Sequence, residues 1–277
     1  MPSRLDVELV RRGLARSRAV ARAVIAAGEV TVDERIVTRP ATAVDGHARV
    51  EVRHTATGWV GRGADKLLAA LAAFAPLGLT VAGRRALDAG ASTGGFTQVL
   101  LAHGVASVAA VDVGHGQLAP SVAADPRVQD HSGTSIRGLD PQAVGGAVDL
   151  LVADLSFISL TTVLPDLRRL VRPGADVVLL VKPQFEVGRG GLGKKGIVRD
   201  PRRRAQAVER VAEAALAVGL SPFGLIASPL RGSHGNAEYL LWLRATPARE
   251  DVGMPWDALL ARVDTLTRAT TIPQEPA

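Results

Sequence analysis

Leu87-Asp88-Ala89-Gly90-Ala91-Ser92-Thr93-Gly94-Gly95-Phe96 is the stretch that decides how this chain folds. An apolar run over 85–89 ends in a glycine-rich turn, and a helical pattern follows over 94–103. A glycine-rich turn at the carboxyl end of a strand, opening a helix, is where open α/β sheets bind their ligands. Gly90, Gly94 and Gly95 allow the backbone to approach a ligand closely. Their Gly-x-x-x-Gly-Gly spacing departs from the G-x-G-x-x-G of dinucleotide sites. No lysine follows the glycines, which argues against a nucleotide-hydrolysing P-loop.

Outward from that turn, short β-branched runs alternate with helical segments. Strands are expected over 85–89, 108–113, 148–154, 177–181, 223–228 and 239–243, and helices over 94–103, 117–124, 161–171 and 200–218. Such alternation predicts a mostly parallel sheet with helices on both faces. The second strand ends in Ala110-Val111-Asp112-Val113-Gly114. An acidic residue about 20 residues past the glycine turn can accept hydrogen bonds from ribose hydroxyls. Asp112 is that residue, and by itself it suits the ribose of S-adenosylmethionine or of NAD equally.

Two further strands end in charge: Val152-Ala153-Asp154 and Leu180-Val181-Lys182. A lysine closing a strongly apolar strand is costly unless paired or functional. Glu238 stands just before the last apolar strand, and Lys66 lies on a helix over 64–75, beside its Leu67, Leu71 and Phe74 stripe. Only four lysines occur, Lys66, Lys182, Lys194 and Lys195, among 33 lysines and arginines. Where lysine persists in so arginine-rich a chain, a site can need an amine able to lose its proton. Singly, each of these residues reads as a surface ion pair. Together, Lys66, Asp154, Lys182 and Glu238 suit proton removal from a sugar hydroxyl whose oxygen then attacks an activated methyl group, with a lysine as base.

The first fifty residues have a different character. A short helix over 4–10 precedes a second, with Ser17 as its expected N-cap and Gly28 as its stop. Val20, Val24 and Ile25 form an apolar stripe, while Arg18 and Arg22 share another face. Alternation at 30–32 and 35–37 around Asp33-Glu34 predicts a hairpin. Arg4, Arg11, Arg12, Arg16, Arg18 and Arg22 crowd this small unit and suit phosphates. Glycines in Thr57-Gly58-Trp59-Val60-Gly61-Arg62-Gly63 mark a connector.

The chain carries a formal net charge of +6 and a hydrophobic fraction of 47% over 277 residues. The basic balance favours an anionic partner. No cysteine is present, which excludes disulfides, thiolate catalysis and cysteine-held metal. No apolar run approaches the roughly 18 residues of a membrane span, and the N-terminus lacks a signal-peptide pattern. A cytoplasmic protein with no membrane partner is expected, and no metal.

Residues 4–44 resemble an S4 RNA-binding domain, through Leu-Asp near the start, Ser-Arg opening the second helix and Ala-Gly-x-Val-x-Val entering the strands. Taken with GASTGGF, VDVGHGQL, VADLSFISL, VKPQFEVG and GNAEYLLW, the chain resembles the TlyA-type, haemolysin-named family, whose catalytic domain is similar to the FtsJ/RrmJ group. The resemblance implies a Rossmann-like methyltransferase fold with a seven-stranded sheet behind a small α+β S4 domain. It implies an S4-like domain over 1–57, a linker over 58–63, the methyltransferase domain over 64–250 and a C-terminal helix and tail over 251–277. It also implies 2'-O-methylation of cytidines in 16S and 23S ribosomal RNA within 30S and 50S subunits, by a monomer, and a link between lost activity and capreomycin and viomycin resistance.

The family's Lys-Asp-Lys-Glu tetrad maps onto Lys66, Asp154, Lys182 and Glu238, with Lys182 as general base. S-adenosylmethionine would be held by Asp88, Gly90, Ala91, Ser92, Thr93, Gly94, Gly95, Phe96, Asp112, Val113 and Asp154. Two positions depart from the family pattern. Thr57 stands where the connector usually has arginine, and Ser132-Gly133-Thr134-Ser135 stands where an acidic residue and Thr-Asn usually meet the adenine. Three rivals remain: a pseudouridine synthase with an S4 domain, a membrane-active haemolysin, and an RNA-binding protein with a degenerate methyltransferase domain.

Overall fold

The computed structural model describes residues 3–15, 18–26, 28–52, 58–188, 192–193, 196–232, 235–246 and 253–270. The chain divides into two compact units, Met1–Arg62 and Gly63–Ala277. Arg16, Ser17, Thr57, Lys194 and Lys195 lie outside the described residues.

The first unit runs β1 (Ser3–Arg4), α1 (Leu5–Arg11), α2 (Arg18–Ala26), β2 (Val30–Val32), β3 (Arg35–Ile36), β4 (Ala43–Val44) and β5 (Val50–Val52). Strands β3, β2 and β5 form one antiparallel sheet, and β1 pairs with β4. The turn between β2 and β3 holds both Asp33 and Glu34 at positive φ, 48° and 66°, the geometry that matches the twist of a two-residue hairpin. Gly28 takes φ +71° at the end of α2 and donates to Ile25 O at 2.9 Å, stopping the helix as expected. Leu5, Leu9, Ala21, Val24, Ile25, Val30 and Val44 make its core, while Val20 is only partly buried. The connector returns to this unit: Arg62 N donates to Glu29 Oε1 at 3.3 Å.

The second unit follows as α3 (Gly63–Phe74), β6 (Arg85–Ala89), α4 (Gly95–Ala102), β7 (Ser107–Asp112), α5 (Pro120–Ala123), β8 (Val128–Ser132), β9 (Val148–Ala153), α6 (Leu160–Arg169), β10 (Val171–Val181), α7 (Pro183–Glu186), α8 (Pro201–Ala217), β11 (Leu220–Ala227), β12 (Tyr239–Ala245) and α9 (Trp256–Ala269). Its sheet has the order β11-β12-β10-β9-β6-β7-β8. β8, β7, β6, β9 and β10 run parallel, and β12 runs antiparallel to both β10 and β11. From β6 the chain builds outward through β7 and β8, then returns to lay β9 on the other side of β6. The order reverses there, and the carboxyl ends of β6 and β9 flank the crevice where such sheets bind ligands.

Several expected elements are corrected. β8 was not foreseen, because Gln129 and Asp130 are exposed on an edge strand paired only with β7 and break the apolar pattern. The helix expected over 117–124 shortens to Pro120–Ala123, where Pro120 sets the first turn. The helix expected over 161–171 ends at Arg169, since Val171 already starts β10. β10 carries exposed Pro173 and Gly174, and its register against β9 shifts between Val171 and Asp176, so the sequence there looks like a turn. The core buries Leu87, Leu151, Val177, Leu179 and Leu241 completely. Arg204 on α8, 1% exposed, donates to Thr267 O and Thr270 O at the end of α9 and to Tyr239 Oη. That fixes α9 against the start of β12 and offsets the negative end of the helix.

Candidate active site

Four charged side chains meet at the carboxyl edge of the sheet. Lys66 rises from the first turns of α3, Asp154 follows β9, Lys182 follows β10, and Glu238 precedes antiparallel β12 at the same edge. Lys182 Nζ stands 2.6 Å from Asp154 Oδ1, and Lys66 Nζ 3.7 Å from Asp154 Oδ2 and 2.7 Å from Glu238 Oε2. Lys182 Nζ also donates to Ser156 Oγ at 2.7 Å. The row thus reads Glu238–Lys66–Asp154–Lys182, with charge balanced. Burial would raise the Asp154 carboxyl, but the ammonium groups of Lys182 and Lys66 outweigh it and hold its pKa below the usual range. Asp154 therefore stays ionised between two cations.

Glu238 is placed by the loop before it. Asn236, 3% exposed, accepts from Val198 N and donates to Gly196 O, both at 2.9 Å, and Glu238 O accepts from Ser228 N. A side chain at Gly232 would put its Cβ 2.5 Å from Glu238 Oε1, so glycine is required for that carboxylate to sit where it does.

Beside this row lies the glycine-rich turn. Gly90 takes φ +84°, and a Cβ there would stand 2.6 Å from Asp154 O. Ser92 follows at φ +49° and donates its N–H to Asp112 Oδ2 at 2.8 Å, while Gly114 N donates to Asp112 Oδ1 at 2.7 Å. Asp112 thus ties the first loop to the second. The 132–135 turn joins them: Gly133 N donates to Gly114 O and Thr134 N to Asp112 O. Asp88 is fully buried, accepts from Thr97 Oγ1 at 2.7 Å, and leaves Oδ1 without a hydrogen-bond partner. Burial pushes the Asp88 carboxyl up to about 7, opposed by Thr97 and reinforced by Asp154 and Asp112.

One exposed residue at this edge escaped notice within VADLSFISL. Phe157 is 91% exposed, sits at φ +64°, and meets Phe185 with ring centroids 5.4 Å apart. The preceding Ser156 accepts from Lys182 Nζ, and Lys182 Nζ stands 5.9 Å from the centroid of the Phe185 ring. The available signal was an aromatic three residues past the charged end of a strand, between Ser156 and Ile158.

The five described arginines of that set in the first unit are held by carboxylates, Arg16 lying outside the described residues. Arg4, Arg18 and Arg22 contact Asp6, and Arg11 and Arg12 contact Glu8. Arg12, only 20% exposed, also donates to the carbonyls of Ala48, Asp45 and Gly46, which makes it a brace rather than a free surface cation.

Comparison with known proteins follows this division. The FtsJ-like methyltransferase model matches residues 59–245, and the S4 domain model residues 3–50. The chain belongs to the FtsJ-like methyltransferase family. A Mycobacterium tuberculosis relative, named as a 16S/23S rRNA (cytidine-2'-O)-methyltransferase TlyA, is 56% identical over 89% of this chain and 91% of its own. Hemolysin A of Brachyspira hyodysenteriae is 34% identical over 86% of this chain and 98% of its own. A solved hemolysin-named protein of Streptococcus thermophilus is 35% identical, with TM-score 0.72, over 97% of this chain and 98% of that one.

S-adenosylmethionine is the methyl donor of this FtsJ-like methyltransferase, and the residues present fit it. The cofactor carries a sulfonium and an ammonium group. Three carboxylates, Asp88, Asp112 and Asp154, gather at the ends of neighbouring strands, and one buried oxygen of Asp88 has no partner among the described residues. Gly90, where a Cβ would run into Asp154 O, lets the turn after β6 pack directly against the end of β9 and so brings these carboxylates together. Among the described residues no cluster of metal-ligating side chains occurs, and no helix is long and apolar enough to cross a membrane.

Proposed function

We propose that this methyltransferase adds a methyl group to the ribose 2'-oxygen of cytidine in ribosomal RNA, in 30S, 50S or both subunits. The carrying observation is Lys182 Nζ at 2.6 Å from Asp154, with Lys66 on the opposite oxygen of that carboxylate. The relative at 56% identity, named for 16S and 23S cytidine-2'-O-methylation, supports the substrate. S-adenosylmethionine, when bound, supplies a methyl group on a positively charged sulfur that leaves as a neutral thioether.

Lys182 is the general base, its ammonium first giving up a proton to solvent. Its Nζ takes the proton from the ribose 2'-hydroxyl as the oxygen forms its bond to the methyl carbon. Asp154 orients that amine and stabilises the ammonium that results. Lys66, anchored by Glu238, holds Asp154 in place and offers a positive charge near the oxygen as negative charge develops there. Asp88, Gly90, Asp112 and the 91–96 segment hold the cofactor, with Val113 and the 132–135 turn beside its nucleoside. Phe157 presents a face on which the target base can stack. Residues 1–57 dock the RNA, and the connector over 58–63 sets their orientation to the catalytic domain.

Transfer of radiolabelled methyl groups to 30S and 50S subunits tests this proposal. Label should appear at a ribose 2'-oxygen and identify the subunit. Cofactor binding with no label on either subunit or on free rRNA would refute it.

A further inference from the structure

Asp6 is a carboxylate buried beneath the cations that would meet RNA. Its side chain is 0% exposed, whereas Arg4, Arg18 and Arg22 on it are 49%, 52% and 56% exposed. Arg4 grips it with two donors, Nε at 2.9 Å and Nη2 at 3.3 Å. Arg18 Nη2 and Arg22 Nε reach Oδ2 at 3.0 Å and 3.2 Å, from successive turns of α2. The carboxylate is itself fixed, because Asp6 N donates to Pro40 O and Leu5 N to Thr42 O, and Leu5 is wholly buried in the core. One negative charge therefore faces inward while three guanidinium groups face water, each with most of its N–H donors unspent.

We propose that Asp6 is a positioning residue: it pre-orders Arg4, Arg18 and Arg22 into one phosphate-binding array for the RNA backbone. This rests on the RNA reading above. Long arginine side chains lose rotamer freedom when they engage a phosphate. An array already held at one carboxylate has lost most of that freedom on folding, so less is lost on binding. Bidentate guanidinium geometry then matches phosphate oxygens. Were simple charge decisive, removing Asp6 would strengthen RNA binding, because the unit gains a unit of positive charge. Pre-ordering predicts the opposite sign.

The test measures affinity of the full-length protein for a structured rRNA fragment across a salt series, for wild type and Asp6→Asn. The variant should bind about tenfold more weakly, the scale of ordering two or three long side chains on binding. Its plot of log affinity against log salt should also be shallower, with fewer phosphates engaged. The same substitution in an Arg4→Ala/Arg18→Ala/Arg22→Ala background should change affinity by no more than about twofold, because coupled groups are non-additive. Equal or tighter binding by Asp6→Asn overturns the inference. So does an undiminished loss in the triple-arginine background, which would mean that Asp6 acts on the fold alone. No RNA binding by the wild type would instead overturn the RNA reading, and this inference with it.

Discussion

In the charged row of the larger unit, both members of each ion pair are largely taken from water. The Lys66 and Lys182 side chains are 11% and 9% exposed, and Glu238 and Asp154 are 2% and 20% exposed. In the first unit the carboxylates are equally deep, Asp6 at 0% and Glu8 at 2%, but Arg4, Arg11, Arg18 and Arg22 stand 49–62% exposed. Between these two clusters the cation type differs. Lysines, able to give up a proton, occupy the buried row; arginines, permanently charged and forked, occupy the exposed arrays. Burying both partners strengthens their attraction and fixes the lysine amine for chemistry. Burying only the anion presents the cation to another molecule.

The sharpest way to break this comparison is to put an arginine into the buried row. Lys182→Arg keeps the charge near Asp154 but removes the amine able to lose a proton. Methyl transfer should fall by about 10²–10⁴, the usual contribution of a positioned base, while cofactor affinity by calorimetry changes little. Asp154→Asn leaves two ammonium groups with no carboxylate between them. Removing one partner of a buried pair costs about 3–5 kcal/mol, so we expect a lower melting temperature along with lost transfer, and calorimetric melting reads it.

Asp88 sharpens the comparison because it is a buried carboxylate with no cation of its own. Its folded pKa of about 7 lies above the unfolded value of 3.8, so the folded state holds the proton more tightly. The associated stability is fully present below about pH 4 and is lost as pH rises through 7. The loss amounts to roughly 4 kcal/mol at about 1.4 kcal/mol per unit. Urea unfolding of the cofactor-free protein should show this decline, and Asp88→Asn should flatten it. An unchanged slope in the variant would assign the decline to other groups. A smaller effect is expected at Gly90→Ala, where a Cβ would meet Asp154 O: about 1–3 kcal/mol of strain, seen in denaturation midpoints and in weaker cofactor binding. Smallest is Arg18→Ala/Arg22→Ala, whose expected effect is a shallower salt dependence of RNA binding, by about 2 in slope, with methyl-donor affinity untouched.

Strand ends carried most of what the sequence revealed about the site. Asp88, Asp112, Asp154 and Lys182 each close an apolar run, and a parallel sheet brings such ends to one rim. Lys66 and Glu238 were different: they are 172 residues apart in sequence yet 2.7 Å apart in space, and no spacing rule joins them. Their charge and placement suggested one cluster with Asp154 and Lys182, and the family resemblance supplied the tetrad itself. β8 was illegible because an edge strand with solvent on its flank need not be apolar. Arg12 looked like its neighbours, since nothing in a sequence shows that the 45–48 turn points its carbonyls at a guanidinium. Phe157 was hidden because its exposure follows from a backbone in the left-handed region, which propensity does not foresee.

The most direct test of the central claim is single-turnover methyl transfer to rRNA by the wild type and by Lys182→Arg, each saturated with S-adenosylmethionine. The account predicts label at a ribose 2'-oxygen with the wild type and at least a hundredfold slower transfer, about the lower end for a lost general base, with the variant. Transfer by Lys182→Arg at the wild-type rate would contradict it, because a guanidinium cannot take the hydroxyl proton.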